Sequence, residues 1–283
     1  MNDKPLSASD ADLAEQMRWL LHANLDQDSR QETVRLLQQL LTPAVCRRLG
    51  LYPIPDDFLL SVIVPIYNEV HTVERLIERV REVPIPLEII LVDDGSTDGT
   101  RELVDKWAGT EAIQVLRHAR NRGKGAAIRT GMATAQGDVV VFQDADLEYD
   151  PSEYPLLLLP ILENQADVVY GSRFSSQSRS VPKYWHHTVN RLVTLFSNMS
   201  TNLKLTDVET CYKLIRGDLA RQIAPQLREE GFGIEIEITA RLAKIPGVRF
   251  HERPISYTPR TQGEGKKIRW QDGVRALWCI LKY

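Results

Sequence analysis

The chain has 283 residues, 43% of them hydrophobic and 26% charged, with a formal net charge of −3. That length buries a core without staples, and the mild acidity disfavours nucleic acid as a partner. Three scattered cysteines, Cys46, Cys211 and Cys279, argue against a disulfide framework and a zinc site and fit a reducing cytosol.

The opening MNDKPLSASDADLAEQ is polar and acidic, without the basic flank and apolar run of a signal peptide. No apolar stretch approaches the ~20 residues that a membrane span requires. The expected location is therefore cytoplasmic, with any membrane contact peripheral. Residues 10 to 50 read as helices, because Leu13, Met17, Leu20 and Leu21 share one face and Val34, Leu37, Leu40 and Leu41 repeat at helical spacing. Pro53 and Pro55 mark a linker. Residues 1–58 are thus expected as a helical extension, suited to packing, to a homo-oligomer contact or to a partner, and residues 59–283 as the main domain.

From Leu59 the pattern changes to short apolar runs alternating with amphipathic helices. SVIVPIY is followed by a helix from about Thr72 to Glu82, then EIILVDD and a second helix. AIQVLRH, a helix opening near Lys124, DVVVFQDAD, a helix after Pro151 and DVVYGSR complete the series. Strands this apolar throughout belong to a mostly parallel sheet covered on both faces, a doubly wound α/β architecture. Ligands bind there at the carboxyl ends of strands. After Arg173 the alternation stops, and Pro182 to Leu205 reads as one amphipathic helix with Trp185, Val189, Leu192, Phe196 and Met199 on a stripe. Packing on the core is the expected fate of that stripe.

Carboxylates sit where these strands end. Asp93 and Asp94 close the second strand and lead into the glycine-rich turn Gly95 to Gly99; Asp144 and Asp146 close DVVVFQDAD. Either pair alone can simply cap a helix or hold a turn. Two pairs on one sheet favour a site for a metal-bound diphosphate, since carboxylates are hard oxygen ligands for Mg²⁺ or Mn²⁺ and Glu148 offers a third. The sequence contains neither a glycine-lysine phosphate loop nor a dinucleotide-binding glycine motif after the first strand.

The set VPIYNE (64–69), VDDGSTDGT (92–100), NRGKGAAIRTG (121–131), DADLEYDP (144–151) and GSRF (171–174) resembles family 2 glycosyltransferases. The likeness is nearest to the dolichol-phosphate mannosyltransferase and polyprenyl-phosphate glycosyltransferase group and covers about residues 60 to 275. It implies a Rossmann-like fold of GT-A type and inverting, metal-dependent transfer of a sugar from a UDP- or GDP-sugar donor. By resemblance Pro65, Tyr67 and Glu69 hold the nucleoside, while Val92 and Asp94 contact base and ribose. Asp144, Ala145 and Asp146 form the metal-diphosphate motif, Glu148 adds a metal contact, and Arg173 lies near the transferred sugar-phosphate.

Late in the chain, PRTQGEGKKIRW sets Arg260, Lys266, Lys267 and Arg269 around two glycines, the composition of a mobile lid over a diphosphate. In the resembled family Arg260 and Lys266 align with basic residues of such a loop. Asp207, Glu235 and Glu237 fall where its members place acceptor-side residues. Where the mannosyltransferases carry a threonine-serine-glycine segment after the aspartate, this chain has Glu209, Thr210, Cys211 and Tyr212, then Lys213 for a common arginine. A polyprenyl-phosphate-like lipid is the expected acceptor, with a soluble hydroxyl acceptor, or non-catalytic binding of a sugar nucleotide, as the alternatives. A lipid phosphate is already a nucleophile, whereas a hydroxyl needs a base. The C-terminal stretch, with Trp270, Val274, Leu277, Trp278 and Leu281 beside lysines and arginines, suits either an interfacial helix or one packed on the sheet.

Overall fold

The computed structural model describes residues 54–174, 184–259 and 270–283, together with Leu37 and Tyr52. The chain divides into two units, Met1–Pro53 and Ile54–Tyr283. The helices expected over residues 10 to 50 lie outside the described residues, apart from Leu37, which is helical.

In the second unit, strands and helices alternate through β1 (Leu60–Ile66), α1 (Val73–Arg81), β2 (Leu87–Asp93), α2 (Thr100–Asp105), β3 (Ile113–Arg117), α3 (Lys124–Met132), β4 (Val139–Phe142), α4 (Tyr154–Leu162) and β5 (Val168–Ser172). The observed bounds follow the sequence pattern closely. Thr72 and Glu82 cap α1, whose Val73, Leu76, Ile77 and Val80 form the buried stripe. β4 and β5 are buried at every position, and β1 at all but Pro65. That is the burial expected of a sheet with both faces covered.

Beyond Ser172 come α5 (Tyr184–Thr201), β6 (Lys213–Arg216), α6 (Gly217–Ile223), α7 (Ile234–Ala243), β7 (Phe250–Pro254) and α8 (Trp270–Lys282). The strand order is β3-β2-β1-β4-β6-β5-β7. β6 runs antiparallel to both β4 and β5, and all other pairings are parallel. Neither β6 nor β7 stands out in the sequence, because four residues reading Lys-Leu-Ile-Arg and an edge strand reading Phe-His-Glu-Arg-Pro carry little hydrophobic period.

The chain order reverses between β1 and β4, which makes their carboxyl ends a topological switch point. There the amide of Gln143 donates to the carbonyl of Ile63 at 2.9 Å, and that of Asp94 to the carbonyl of Ile66 at 2.8 Å. The ends of β1, β2 and β4 are thus joined edge to edge. Because β6 is antiparallel, its first residue lies at this same edge, paired with Tyr170 of β5. The loop from Asp207 to Thr210 is carried there with it.

Candidate active site

The carboxyl end of β4 turns sharply through Asp144, Ala145 and Asp146. Leu147 adopts φ +63°, a left-handed conformation that a leucine holds only when its surroundings impose it. The turn is braced from beneath: the Gln143 side-chain oxygen accepts from the hydroxyls of Tyr154 (2.6 Å) and Tyr212 (2.7 Å), and its amide donates to the carbonyl of Asp144 (2.9 Å). Thr72 ties the turn to the first strand's loop, donating to the carbonyl of Ala145 at 2.7 Å and lying 2.9 Å from Glu69 Oε2.

Asp144 and Asp146 are partly exposed on this edge. Lys124, the first residue of α3, places Nζ 2.7 Å from Asp144 Oδ1 and 3.0 Å from Glu235 Oε1. Burial disfavours the Lys124 ammonium, but Asp144 and Glu235 override it and raise its pKa well above the ordinary lysine value. Glu235 in turn pairs with the fully buried Lys213, whose ammonium also donates to the carbonyl of Thr210. A chain of alternating charge therefore runs from Asp144 through Lys124 and Glu235 to Lys213. The sequence reading missed Lys124, which stands between Gly123 and Gly125 at the start of a helix and whose partners Asp144 and Glu235 are distant in sequence.

Arg173, just past β5, grips Asp207 with Nε at 2.7 Å and Nη2 at 2.8 Å. Burial would raise the Asp207 pKa, yet the guanidinium and its hydrogen bonds prevail and hold it below the usual carboxylate value. Asn190 bridges Asp207 Oδ1 at 3.2 Å and Glu209 Oε2 at 3.1 Å. Asp207, expected on the acceptor side, is fully buried, with both oxygens engaged by Arg173. Glu209 has no ion-pair partner among the described residues, and burial raises its pKa against the pull of Arg173.

Several other expectations are relocated. Glu237 is also fully buried, accepting from the amides of Arg228 (2.8 Å) and Glu229 (2.7 Å) and from Arg241, which makes it a structural carboxylate. Asp94 faces inward: His118 Nδ1 lies 2.6 Å from Oδ1, and the amides of Arg122 (3.0 Å) and Gly123 (2.7 Å) donate to its oxygens. The Val92 side chain lies in the core, so only its main chain can meet a ligand. Glu148 receives the Tyr257 hydroxyl at 2.6 Å and does not complete a trio of metal-ligating side chains; no such trio occurs among the described residues. Pro65 and Tyr67 remain partly exposed at the end of β1, and Glu69 is buried behind them. Arg260 and Lys266 lie outside the described residues.

Residues 61–224 match the family model described as glycosyl transferase family 2. The chain belongs to that family. The enzyme is 31% identical to the undecaprenyl-phosphate mannosyltransferase of Micrococcus luteus over 72% of this chain and 85% of that one. It is 30% identical to the dodecaprenyl-phosphate galacturonate synthase of Rhizobium johnstonii, over 73% of this chain and 61% of that relative's length. Its fold is of GT-A type: the glucosyl-3-phosphoglycerate synthase of Mycobacterium tuberculosis, solved with Mn²⁺, uridine diphosphate and phosphoglyceric acid, superposes with a TM-score of 0.57 at 20% identity, covering 79% of this chain and 76% of that one. This family 2 member is therefore a glycosyltransferase, with relatives in the polyprenyl-phosphate group.

Proposed function

We propose that this glycosyltransferase moves a sugar, with inversion, from a UDP- or GDP-sugar to a polyprenyl-phosphate-like acceptor in a reaction that depends on Mg²⁺ or Mn²⁺. The observation that carries the reading is the gathering of Asp144, Asp146, Lys124 and the Arg173 and Asp207 pair at the switch-point edge of the sheet. The donor set suits the ion. Two partly exposed aspartates offer hard oxygens but form no closed cage, which fits a Mg²⁺- or Mn²⁺-type ion completed by donor phosphates. Bound there, the ion would supply Lewis-acid neutralisation of the departing diphosphate.

The protein's own groups act around it. Pro65 and Tyr67 flank the nucleoside, and Glu69 supports their loop from behind. Arg173, always cationic and fixed by Asp207, faces the negative charge of donor and acceptor phosphates. The incoming phosphate oxygen attacks the anomeric carbon from the face opposite the leaving group, so no protein base is required. The Micrococcus and Rhizobium relatives, named for polyprenyl-phosphate substrates, support this acceptor class. Such an acceptor also implies work at a membrane surface. Among the described residues no helix is long and apolar enough to cross one.

Glu209 favours a second reading, transfer to a soluble hydroxyl. A largely buried carboxyl whose pKa is raised by burial, and which forms no ion pair among the described residues, is chemically able to accept a proton. One assay separates the readings: release of nucleoside diphosphate from a panel of sugar nucleotides with Mn²⁺, with and without short-chain polyprenyl phosphate, beside Asp146→Ala. Lipid-dependent release lost in the variant is the expected result. Release indifferent to lipid and abolished by Glu209→Gln would transfer the assignment to a hydroxyl acceptor, and no release from any donor would leave a sugar-nucleotide-binding protein.

A further inference from the structure

Helix α5 has two faces of opposite character. Asn190, Val193, Thr194 and Ser197 are buried against the domain, whereas Val189, Leu192, Leu195, Phe196 and Met199 are exposed, Met199 to 72%. At about 100° per residue, the five exposed side chains fall within roughly a third of the helix circumference, opposite the buried four. The expected core packing of this stripe is thus overturned for its described members Val189, Leu192, Phe196 and Met199, because the polar-looking side of the helix is the one that supplies hydrogen bonds to the Asp207 loop. The Trp185 side chain lies outside the described residues.

Helix α8 packs against α5 and adds more apolar surface. Ala276, Cys279 and Ile280 are buried, while Leu277, Trp278 and Leu281 are exposed, Leu281 to 88%. Exposed apolar groups concentrated in this way mark an interaction surface. The charges around them point to its partner. Residues 184–206 contain no aspartate or glutamate; Arg191 stands one turn from Leu195, and Lys204 follows the helix, both exposed. On α8, Arg275 and Lys282 flank the Trp278 ring at 5.6 and 4.4 Å and share the single buried carboxylate of Glu229, which leaves a net positive charge at this border. Apolar faces with tryptophan, bordered by cations, are complementary to anionic headgroups over hydrocarbon.

We propose that the exposed faces of α5 and α8 together dock the enzyme on an anionic lipid bilayer. The inference deepens the polyprenyl-phosphate reading and rests on it for the identity of the partner. Docking by α5 places the membrane next to the acceptor side, since Asn190 of the same helix holds Asp207 and Glu209 from its opposite face.

The test is co-sedimentation of the full chain with vesicles of phosphatidylcholine alone or mixed with phosphatidylglycerol, beside the double variant Leu192→Glu, Phe196→Glu. Both side chains are already exposed, so the variant should keep the wild-type melting temperature. The wild type is expected to partition onto the phosphatidylglycerol vesicles, more weakly as salt is raised, and the variant at least tenfold less. Wild-type partitioning by a folded variant overturns the proposal. So does a wild type that ignores vesicles but forms a dimer broken by the same substitutions, which would make the face a seam between two copies. Nucleoside diphosphate release with water-soluble short-chain polyprenyl phosphate, measured without vesicles, should be equal in both proteins. If neither protein releases it, the acceptor reading fails while the sedimentation result still decides the docking surface.

Discussion

Asp207 shows how a side chain's role depends on what surrounds it. Its sequence position suggests an acceptor-side group, but its two oxygens are used by Arg173 and Asn190. Removing one partner of a buried ion pair leaves the other charge uncompensated, at a cost of about 3 to 5 kcal/mol. Asp207→Ala is therefore expected to lower stability by that order in urea unfolding, and to reduce turnover with it. Gln143 is a comparable case without charge. Gln143→Leu would strand the hydroxyls of Tyr154 and Tyr212, both fully buried. The expected loss is about 2 to 4 kcal/mol, readable in the same unfolding experiment. Both aspartates of the β4 turn were legible as chemistry-bearing residues because each stands at the end of an apolar strand. Gln143 and Lys124 were not, because their importance arises from partners distant in sequence.

At the level of elements, the C-terminal helix is latched by one carboxylate. Glu229 is buried and accepts from the Tyr283 hydroxyl at 2.8 Å, from Arg275 at 2.7 Å and from Lys282 at 3.1 Å. Burial alone would raise its pKa, but these donors lower it from 4.5 to about 2. A depressed folded-state pKa contributes stability that is complete above the unfolded value and is lost as pH falls towards the folded one. The latch is thus worth about 2 kcal/mol at neutral pH, after allowing for screening of its exposed cations. Glu229→Gln should show that deficit in thermal unfolding, and the gap to wild type should close as pH is lowered from 4.5 to about 2. The same segment braces α3, since the Gly125 amide donates to the carbonyl of Glu230 at 2.7 Å. Gly123 completes the contact with φ +95°, and a Cβ there would strike that carbonyl. Gly123→Ala is expected to cost more than the ~1 kcal/mol typical of a compatible glycine exchange and to disturb Lys124 next to it, visible as a lowered melting temperature and a raised KM for donor.

For the whole molecule, an open two-carboxylate site makes a distinct prediction about linkage. Mn²⁺ alone should leave the melting temperature nearly unchanged. Nucleoside diphosphate with Mn²⁺ at a hundred times its Kd should add about 2.7 kcal/mol, a rise of roughly 5 to 10 °C for a domain of this size. Equal shifts with and without nucleotide would show an ion held by the protein alone, contrary to the reading of the Asp144 and Asp146 turn.

The sequence by itself determined the first five strands and the helices among them, because apolar runs and helical stripes are local patterns imposed by burial on both faces of a sheet. It also determined the family, through the ordered motifs at the strand ends, and the aspartates of the β4 turn. Tertiary structure alone decided the insertion of β6, whose four residues carry no period of their own but gain neighbours on both sides. That insertion brings Asp207 to Arg173 and Lys213 to Glu235. Tertiary structure also decided which face of α5 is covered. Amphipathicity shows that a helix has two faces, but only packing decides which one the domain buries, and here it buries the one that hydrogen-bonds the site and leaves the apolar one outside.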